Sequence, residues 1–191
     1  MACTIATGKA RYCKVQPGGI DKVFIINRFD DNHASGITLA ATGVLTATSG
    51  LVSTAAGTYF QFDTDPYLSA LTQTIVVNEG GGVGYQQDLE LVFKGAQGNT
   101  DIVMQNLING TWQIAVLDNT GTVYFAGLNK GMICTGGSFI HNGDKALSDN
   151  LAYTMTFAAT ELLPAANCGV LTNFSGQTKV TISGTQIKVA T

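Results

Sequence analysis

Few residue groups in this chain could do chemistry, and none has the spacing that chemistry requires. Gly80-Gly81-Gly82 with Gly84 is the kind of loop that cradles phosphates, but no Gly-Lys-Ser/Thr follows and the next run is strand-like rather than helical. A tight connection between two strands is the simpler reading. Asp30, Asp31 and His33 set carboxylates beside an imidazole; with no nucleophile motif near them they read as a solvated turn. His141, beside Asn142-Gly143-Asp144, is a second loop histidine without an identifiable partner. Cys3, Cys13, Cys134 and Cys168 are separated by 10, 121 and 34 residues, which fits no zinc pattern, so buried thiols are expected. Asp118-Asn119-Thr120-Gly121 carries too few oxygen ligands for a calcium loop. The sequence therefore predicts no enzyme, no cofactor and no metal.

The elements that surround these residues are mostly strands. The chain has 191 residues, enough to bury a core without disulfides. Only 12% of residues are charged, about half the usual share, while 45% are hydrophobic. Charge depletion of this kind is what a surface shows when it meets other subunits. The net charge of −3 argues against tight nucleic-acid binding, which rests on neutralising phosphates. The charges are also segregated. Lys9, Arg11, Lys14, Lys22 and Arg28 precede a stretch that holds Asp63, Asp65, Glu79, Asp88, Glu90, Asp101 and Asp118 against Lys94 alone. Such asymmetry can draw one face of a subunit to the opposite face of a copy. Met1-Ala2-Cys3 lacks the apolar run of a signal peptide, so folding in a cytosol with reduced cysteines is expected. No stretch approaches the length of a membrane-spanning helix.

Lys22–Phe29 is apolar on consecutive positions and predicts a strand covered on both faces. Asp30–Gly57 reads as an insert of loop and short strands, with Ile37–Leu39 and Gly43–Thr46 as weak β segments, and Thr58–Phe62 as a strand ended by Asp65-Pro66. Leu71–Asn78 places Thr72, Thr74 and Val76 on one face and Gln73, Ile75 and Val77 on the other. It is predicted to pair across the glycines with Tyr85–Lys94, where Leu89, Leu91 and Phe93 alternate with Asp88 and Glu90. Asp101–Asn109 predicts the one helix, capped by Asn99 or Thr100 and ended at Gly110. Its Met104, Leu107 and Ile108 should form the stripe that packs on the sheet, with Val103 beside Leu107. Trp112–Leu117 and Val123–Ala126 flank a turn, with Trp112 as a core anchor. Met132–Ile140 is β-like but broken at Gly136-Gly137, and Leu151, Tyr153, Met155 and Phe157 alternate cleanly. Lys179–Val189 predicts a hairpin turning at Gly184-Thr185, with Ile182 facing Ile187 and Val180 facing Val189. The predicted organisation is a β domain over residues 1–165, with the insert at about 30–57, and a C-terminal extension over 166–191.

Two stretches carry a family resemblance. One is Trp112–Gly137, with Val116-Leu117-Asp118-Asn119-Thr120-Gly121, then Tyr124-Phe125-Ala126-Gly127-Leu128 and Gly131 to Gly136-Gly137. The other is Asp149–Pro164, with Tyr153-Thr154-Met155-Thr156-Phe157, Glu161 and Pro164. Together with the strand and helix before them they resemble phage tail tube-like proteins, particularly those of phages infecting Bacteroidota. Cys13, Gly18-Gly19-Ile20, Phe24 and Asn27 agree with the same group. The resemblance implies a mainly β protein, a β-sandwich or partly closed barrel with one flanking helix. It further implies a virion tail subunit assembled in the host cytoplasm: homo-hexameric rings stacked head to tail around a lumen through which DNA passes without sequence-specific binding. Terminator, tape-measure or sheath proteins would be its other partners. On this reading Leu71–Asn78 and Tyr85–Lys94 build the lumen-lining sheet. Leu71, Thr74, Val76, Leu89, Leu91 and Tyr59 fall at subunit contacts, and the insert with the basic Arg11 and Arg28 region reaches the adjacent ring.

Other expectations compete with this one. A head–tail connector or tail-completion ring would share the ring; a capsid decoration or fibre-base protein would bind a shell without forming a tube. An enzyme or carbohydrate-binding module on a β-sandwich would need a convergent acid–base pair or exposed aromatics. Tyr59, Tyr85 and Phe139 are the aromatics placed to anchor a contact.

Overall fold

Val23, Phe24, Ile25 and Ile26 are each at most 1% exposed in the computed structural model, which describes residues 18–27, 38–39, 45–47, 59–77, 79–94, 100–140, 152–172, 179–182 and 185–190. A strand can bury four consecutive side chains only when both its faces are covered, as the unbroken apolar run requires. In chain order the elements are β1 (Ile20–Asn27), β2 (Thr38–Leu39), β3 (Leu45–Ala47), β4 (Tyr59–Asp63), β5 (Ala70–Val77), β6 (Val83–Lys94) and α1 (Thr100–Asn109). They continue as β7 (Thr111–Asp118), β8 (Thr122–Ala126), β9 (Met132–Ile140), β10 (Ala152–Glu161), β11 (Ala166–Thr172), β12 (Lys179–Ile182) and β13 (Thr185–Ala190). Among the described residues the fold is mainly β with one helix, as the sequence implies.

Eleven strands share one sheet, in the order β1-β4-β13-β12-β11-β8-β7-β9-β10-β6-β5, and β2 with β3 forms a small second one. β1 pairs antiparallel with β4 on one edge and with β7 on the other, so the pairing returns on itself there. The sheet as a whole is not closed into a barrel, because β9, β10, β6 and β5 extend it past β7 and end at β5. β13 meets β4 in parallel; the other pairings are antiparallel. The sheet also runs on across residue 165, since β11 pairs with β8 and β13 with β4.

The main core lies where β1 and β7 face β6 and β10 under α1. Val23, Ile25, Ile114 and Val116 meet Leu89, Leu91, Phe93, Tyr153, Met155 and Phe157, with Met104 and Leu107 from the helix. The other faces of β1 and β7 are buried too, through Phe24, Ile26, Ala115 and Leu117, with Val123 and Phe125 of β8. The alternation in β10 is complete: Tyr153, Met155, Phe157, Ala159 and Glu161 point inward.

Three local readings are corrected. Ile108 is 44% and Val103 40% exposed, so only Met104 and Leu107 pack inward; a ten-residue helix lying on a curved sheet buries a narrow stripe. The helix does end at Gly110, as expected, and a Cβ there would lie 2.2 Å from the Trp112 ring. That ring folds back so that Trp112 Nε1 donates to Leu107 O at 2.8 Å and satisfies a terminal helix carbonyl. β9 is not broken at Gly136-Gly137. Thr135 is the extra residue between Cys134, opposite Phe157, and Gly136, opposite Thr156, and this bulge absorbs the irregularity. In the C-terminal hairpin Val180 pairs with Ile187 and Ile182 with Thr185, leaving Ser183 and Gly184 between the paired ends. The helix cap at Asn99 and the Thr100 and Asp101 side chains lie outside the described residues.

Truncation of a core ring tests this packing. Phe157→Ala should lower unfolding free energy by about 3–5 kcal/mol in urea titration. Leu162→Ala, at a residue 74% exposed, should change it by no more than about 0.5 kcal/mol.

Candidate subunit interface

A strand with a neighbour on one side only leaves a row of backbone donors and acceptors unpaired. Among the described residues two such edges stand out, at opposite ends of the four strands β9-β10-β6-β5. β5 pairs with β6 from Ala70↔Glu90 to Val77↔Val83, and nothing described pairs with its outer side. β9 pairs along β10, but among the described residues it meets β7 only at Thr111↔Ile133 and Trp112↔Met132, and from Cys134 onward nothing described pairs with its outer side. Neither β5 (ALTQTIVV) nor β9 (MICTGGSFI) contains a charged residue. Natural edges are commonly guarded by charge or proline, and these are not.

The root of the β5–β6 hairpin is held firmly while its tip stands clear of the core. Leu71 packs against the core cluster. The cross-strand pair Gln73 and Gln87 grips the segment after β10: Ala165 N donates to Gln73 Oε1 at 2.8 Å, and Gln87 Nε2 donates to Leu163 O at 3.3 Å. Beyond this pair the side chains emerge. Ile75 is 62% exposed, Val77 66% and Val83 51%. By register these three, with Tyr85, lie on the face that carries Leu71 and Leu89.

At the other end of the hairpin, residues 65–69 take over the edge of β6. Asp65 N donates to Val92 O at 2.8 Å and Val92 N to Ser69 Oγ at 3.0 Å. Asp65 is buried; its Oδ1 accepts Tyr67 N at 2.9 Å and its Oδ2 meets the Lys94 ammonium. The hydrogen bond from Lys94, then the Tyr67 amide, hold the Asp65 carboxyl below its ordinary range. Beside it Lys22 Nζ donates to Asp63 Oδ1 at 2.7 Å across the β1–β4 pair. Burial raises the Asp63 pKa, but the Lys22 and Gln61 hydrogen bonds outweigh it and the net shift is downward. Lys22 with Asp63 and Lys94 with Asp65 therefore satisfy part of the segregated charge within one chain.

A third set of polar groups lies inside the protein, where the sequence offered no signal beyond their residue types. Gln87, Gln113 and Glu161 are each at most 2% exposed, and all three hold the 127–131 loop between β8 and β9. Gln87 Oε1 accepts Gly127 N at 2.9 Å, and Gln113 Nε2 donates to Leu128 O at 2.8 Å. Glu161 Oε1 accepts Asn129 N at 3.0 Å and Lys130 N at 2.7 Å. Gly127 takes a φ of +65°, which side chains rarely tolerate. Gln113 Oε1 and Glu161 Oε2 have no hydrogen-bond partner.

The open face of the four strands is mainly polar, with Val76 and Ile133 exposed on it and Lys94 at its end. Thr72, Thr74, Gln86, Asp88, Glu90, Thr154, Thr156 and Thr160 share it by register. Gln86 bridges Asp88 at 3.0 Å and Thr160 at 2.7 Å. On the opposite, core side of β9, a groove of about 310 Å³ runs between Ile108 of α1 and Cys134 to Phe139 of the strand, floored by Met155. Phe139 meets Tyr153 edge-on at 5.3 Å.

Of the residues expected at contacts, Thr74 and Val76 are exposed on β5, and Leu71 is partly buried at its root. Leu89 and Leu91 are 0% exposed; they belong to the core and are corrected from the interface. Alternation showed that they share a face but not that this face is the inner one. Arg11, Arg28, the Tyr59 side chain, His33 with Asp30 and Asp31, His141, Cys3, Cys13 and the Cys168 side chain lie outside the described residues. Cys134 is a free thiol. Asp118 is engaged by its own turn, its Oδ1 accepting Thr120 N, Thr120 Oγ1 and Thr122 N at 2.6–2.9 Å. Among the described residues no helix is long and apolar enough to cross a membrane. Comparison with family models, curated proteins and solved structures found no match.

The carboxylates at the hairpin root set an acid limb on stability. A carboxyl whose pKa is lowered by folding stabilises the protein above its unfolded value of 3.8, and that contribution is lost as pH falls through the folded value. The stability gap between wild type and Asp65→Asn, measured by urea unfolding, should be constant near neutrality and should close as pH falls through 3.8 and below.

Proposed function

We propose that this chain is a virion structural subunit, resembling phage tail tube proteins, that closes into rings by pairing β5 of one copy with β9 of the next. The observation that carries the reading is the pair of open, uncharged edges at opposite ends of one four-stranded sheet. β5 has eight residues and β9 nine, so the edges match in length. Within the sheet β5 runs antiparallel to β6, β6 to β10 and β10 to β9, so β5 is antiparallel to β9. A copy displaced sideways therefore presents β9 in the right direction to continue the antiparallel ladder. The join is head to tail, and such an interface closes into a ring when its rotation permits.

The tail-tube resemblance supplies the ring number of six. Six copies contribute a barrel of 24 strands, each copy adding four. With strands about 4.8 Å apart and tilted by ~40°, that barrel is roughly 48 Å across at the backbone. Such a width leaves an open channel rather than a packed interior. The polar face then lines the lumen and the apolar face carries the core. Asp88 and Glu90 on that face give it negative charge, and the threonines give it neutral polarity. A negative wall repels phosphates, so DNA moves past without adhering. A connector or tail-completion ring would use the same closure without stacking, and tubes as opposed to single rings separate the two.

The purified protein should form rings or rods with a central hole in negative stain. Along an antiparallel edge strand, alternate N–H groups point toward the partner and away from it, so one of Thr74→Pro and Ile75→Pro removes an outward donor. That variant should keep the wild-type circular dichroism and sediment as a monomer. Wild-type protein that stays monomeric at every concentration, or rings that survive both prolines, would overturn the reading.

A further inference from the structure

We propose that the overhanging tip of the β5–β6 hairpin docks, through Ile75 and Val77, into the groove between α1 and β9 of a neighbouring copy. This rests on the ring reading above and specifies which side chains seal its joint. Two features are unexplained within one chain. The first is the pair Ile75 and Val77, 62% and 66% exposed although they lie on the same face as the core residue Leu71. The second is the groove of about 310 Å³ lined by Ile108, Cys134, Gly137 and Phe139, with Met155 at its floor.

Register places the two on the same side of a shared sheet. Phe139 is opposite Tyr153, Gly137 opposite Met155 and Cys134 opposite Phe157, so these groove residues belong to the core-side face of β9. Ile75 and Val77 belong to the core-side face of β5. When β5 of one copy continues the sheet beyond β9 of the next, both faces turn the same way. Ile75 and Val77 then project beneath the neighbour's Ile108, beside Phe139. The chain's own hairpin cannot reach its own groove, because β10 and β6 stand between β9 and β5, a separation of about 14 Å at ~4.8 Å per strand. The occupant is protein rather than a polar small molecule, since no charged side chain lines the groove and the polar groups there are hydroxyls, one thiol and backbone. The thiol already donates to Gly136 O at 3.5 Å. Burying two branched side chains against Ile108 and Phe139 also covers part of the exposed apolar surface of each copy.

Cysteine cross-linking tests the contact. In a Cys3→Ser, Cys13→Ser, Cys168→Ser background, Cys134 remains and Ile75→Cys or Val77→Cys is added. Diamide joins Cys134 Sγ to the introduced Sγ, and the two thiol protons and two electrons reduce the diamide to its hydrazine. A disulfide needs Cα atoms within about 7 Å, so at least one of the two variants should give a ladder on non-reducing gels extending to the full ring, ~10-fold above a Thr72→Cys control on the opposite face. Ring formation is followed separately by sedimentation before oxidation. Rings without a ladder would overturn the docking and leave the ring reading intact. Absence of both would overturn both. A ladder equally strong from Thr72→Cys would also refute the docking, because it reports random collision.

Discussion

Backbone polar groups must be paired or solvated, and the way this chain meets that requirement organises everything else about it. β1 and β7, at the centre, have neighbours on both edges and apolar cover on both faces. Where β8 ends its ladder on β7 at Ile114↔Ala126, β9 takes over the same side at Trp112↔Met132. Where β5 ends its ladder on β6 at Ala70↔Glu90, the 65–69 turn takes over at Val92. At both of these points, where one partner leaves an edge, another arrives. Against that thoroughness, the outer sides of β5 and β9 are exceptions among the described residues, and they are also the strands without charge.

The buried glutamines and Glu161 belong to the same logic. The loop after β8 must turn away from β7 so that β9 can replace it, which leaves backbone groups of residues 127–130 without a strand partner. Side chains from β6, β7 and β10 supply what a strand would have supplied. Each satisfied contact is worth little net, but an unsatisfied buried N–H or C=O costs about 1–3 kcal/mol, so the loop is held by avoidance of cost more than by attraction. Gln87 has a second task. Its amide also reaches Leu163, next to the Gln73 contact with Ala165, so the loop and the hairpin root share one residue.

Much of this was legible in the sequence where the relevant physics is local. The alternations in β6 and β10, the turn at Asp118–Gly121 and the hairpin across Gly80–Gly84 follow from side-chain period and turn chemistry, and each is present. What was not legible depends on partners distant in sequence. Alternation groups Leu89 with Leu91 but is silent on which face turns inward, and both proved to be core. The C-terminal register could not be chosen by pattern, because Val180 meets an apolar residue whether it faces Ile187 or Val189; only the turn decides. The burial of Gln87, Gln113 and Glu161 was not legible, since nothing local marks a polar side chain that will hold a loop distant in sequence. The open edge of β9 was hidden for a related reason. Its glycines suggested an interruption, whereas Gly137 lets the strand lie close to β10, a Cβ there falling 2.3 Å from Thr154 O.

The geometry also discriminates between two ways of covering the edges. Two copies of β5 could pair with each other about a two-fold axis, since an antiparallel partner is all that an edge requires. That arrangement would cover β5 and leave β9 open, with the groove beside Ile108 and Phe139 still facing water on both copies. Pairing β9 with β9 has the converse defect. Only the heterologous join of β5 to β9 satisfies both edges of every copy with a single kind of contact, and it leaves none over once a ring closes. Like the two-fold joins, it keeps the polar faces of the copies on one side, so that Asp88 and Glu90 recur on a common surface. In a single copy the outer sides of these two strands lack a partner among the described residues. In the proposed ring those strands would be ordinary interior members of a sheet.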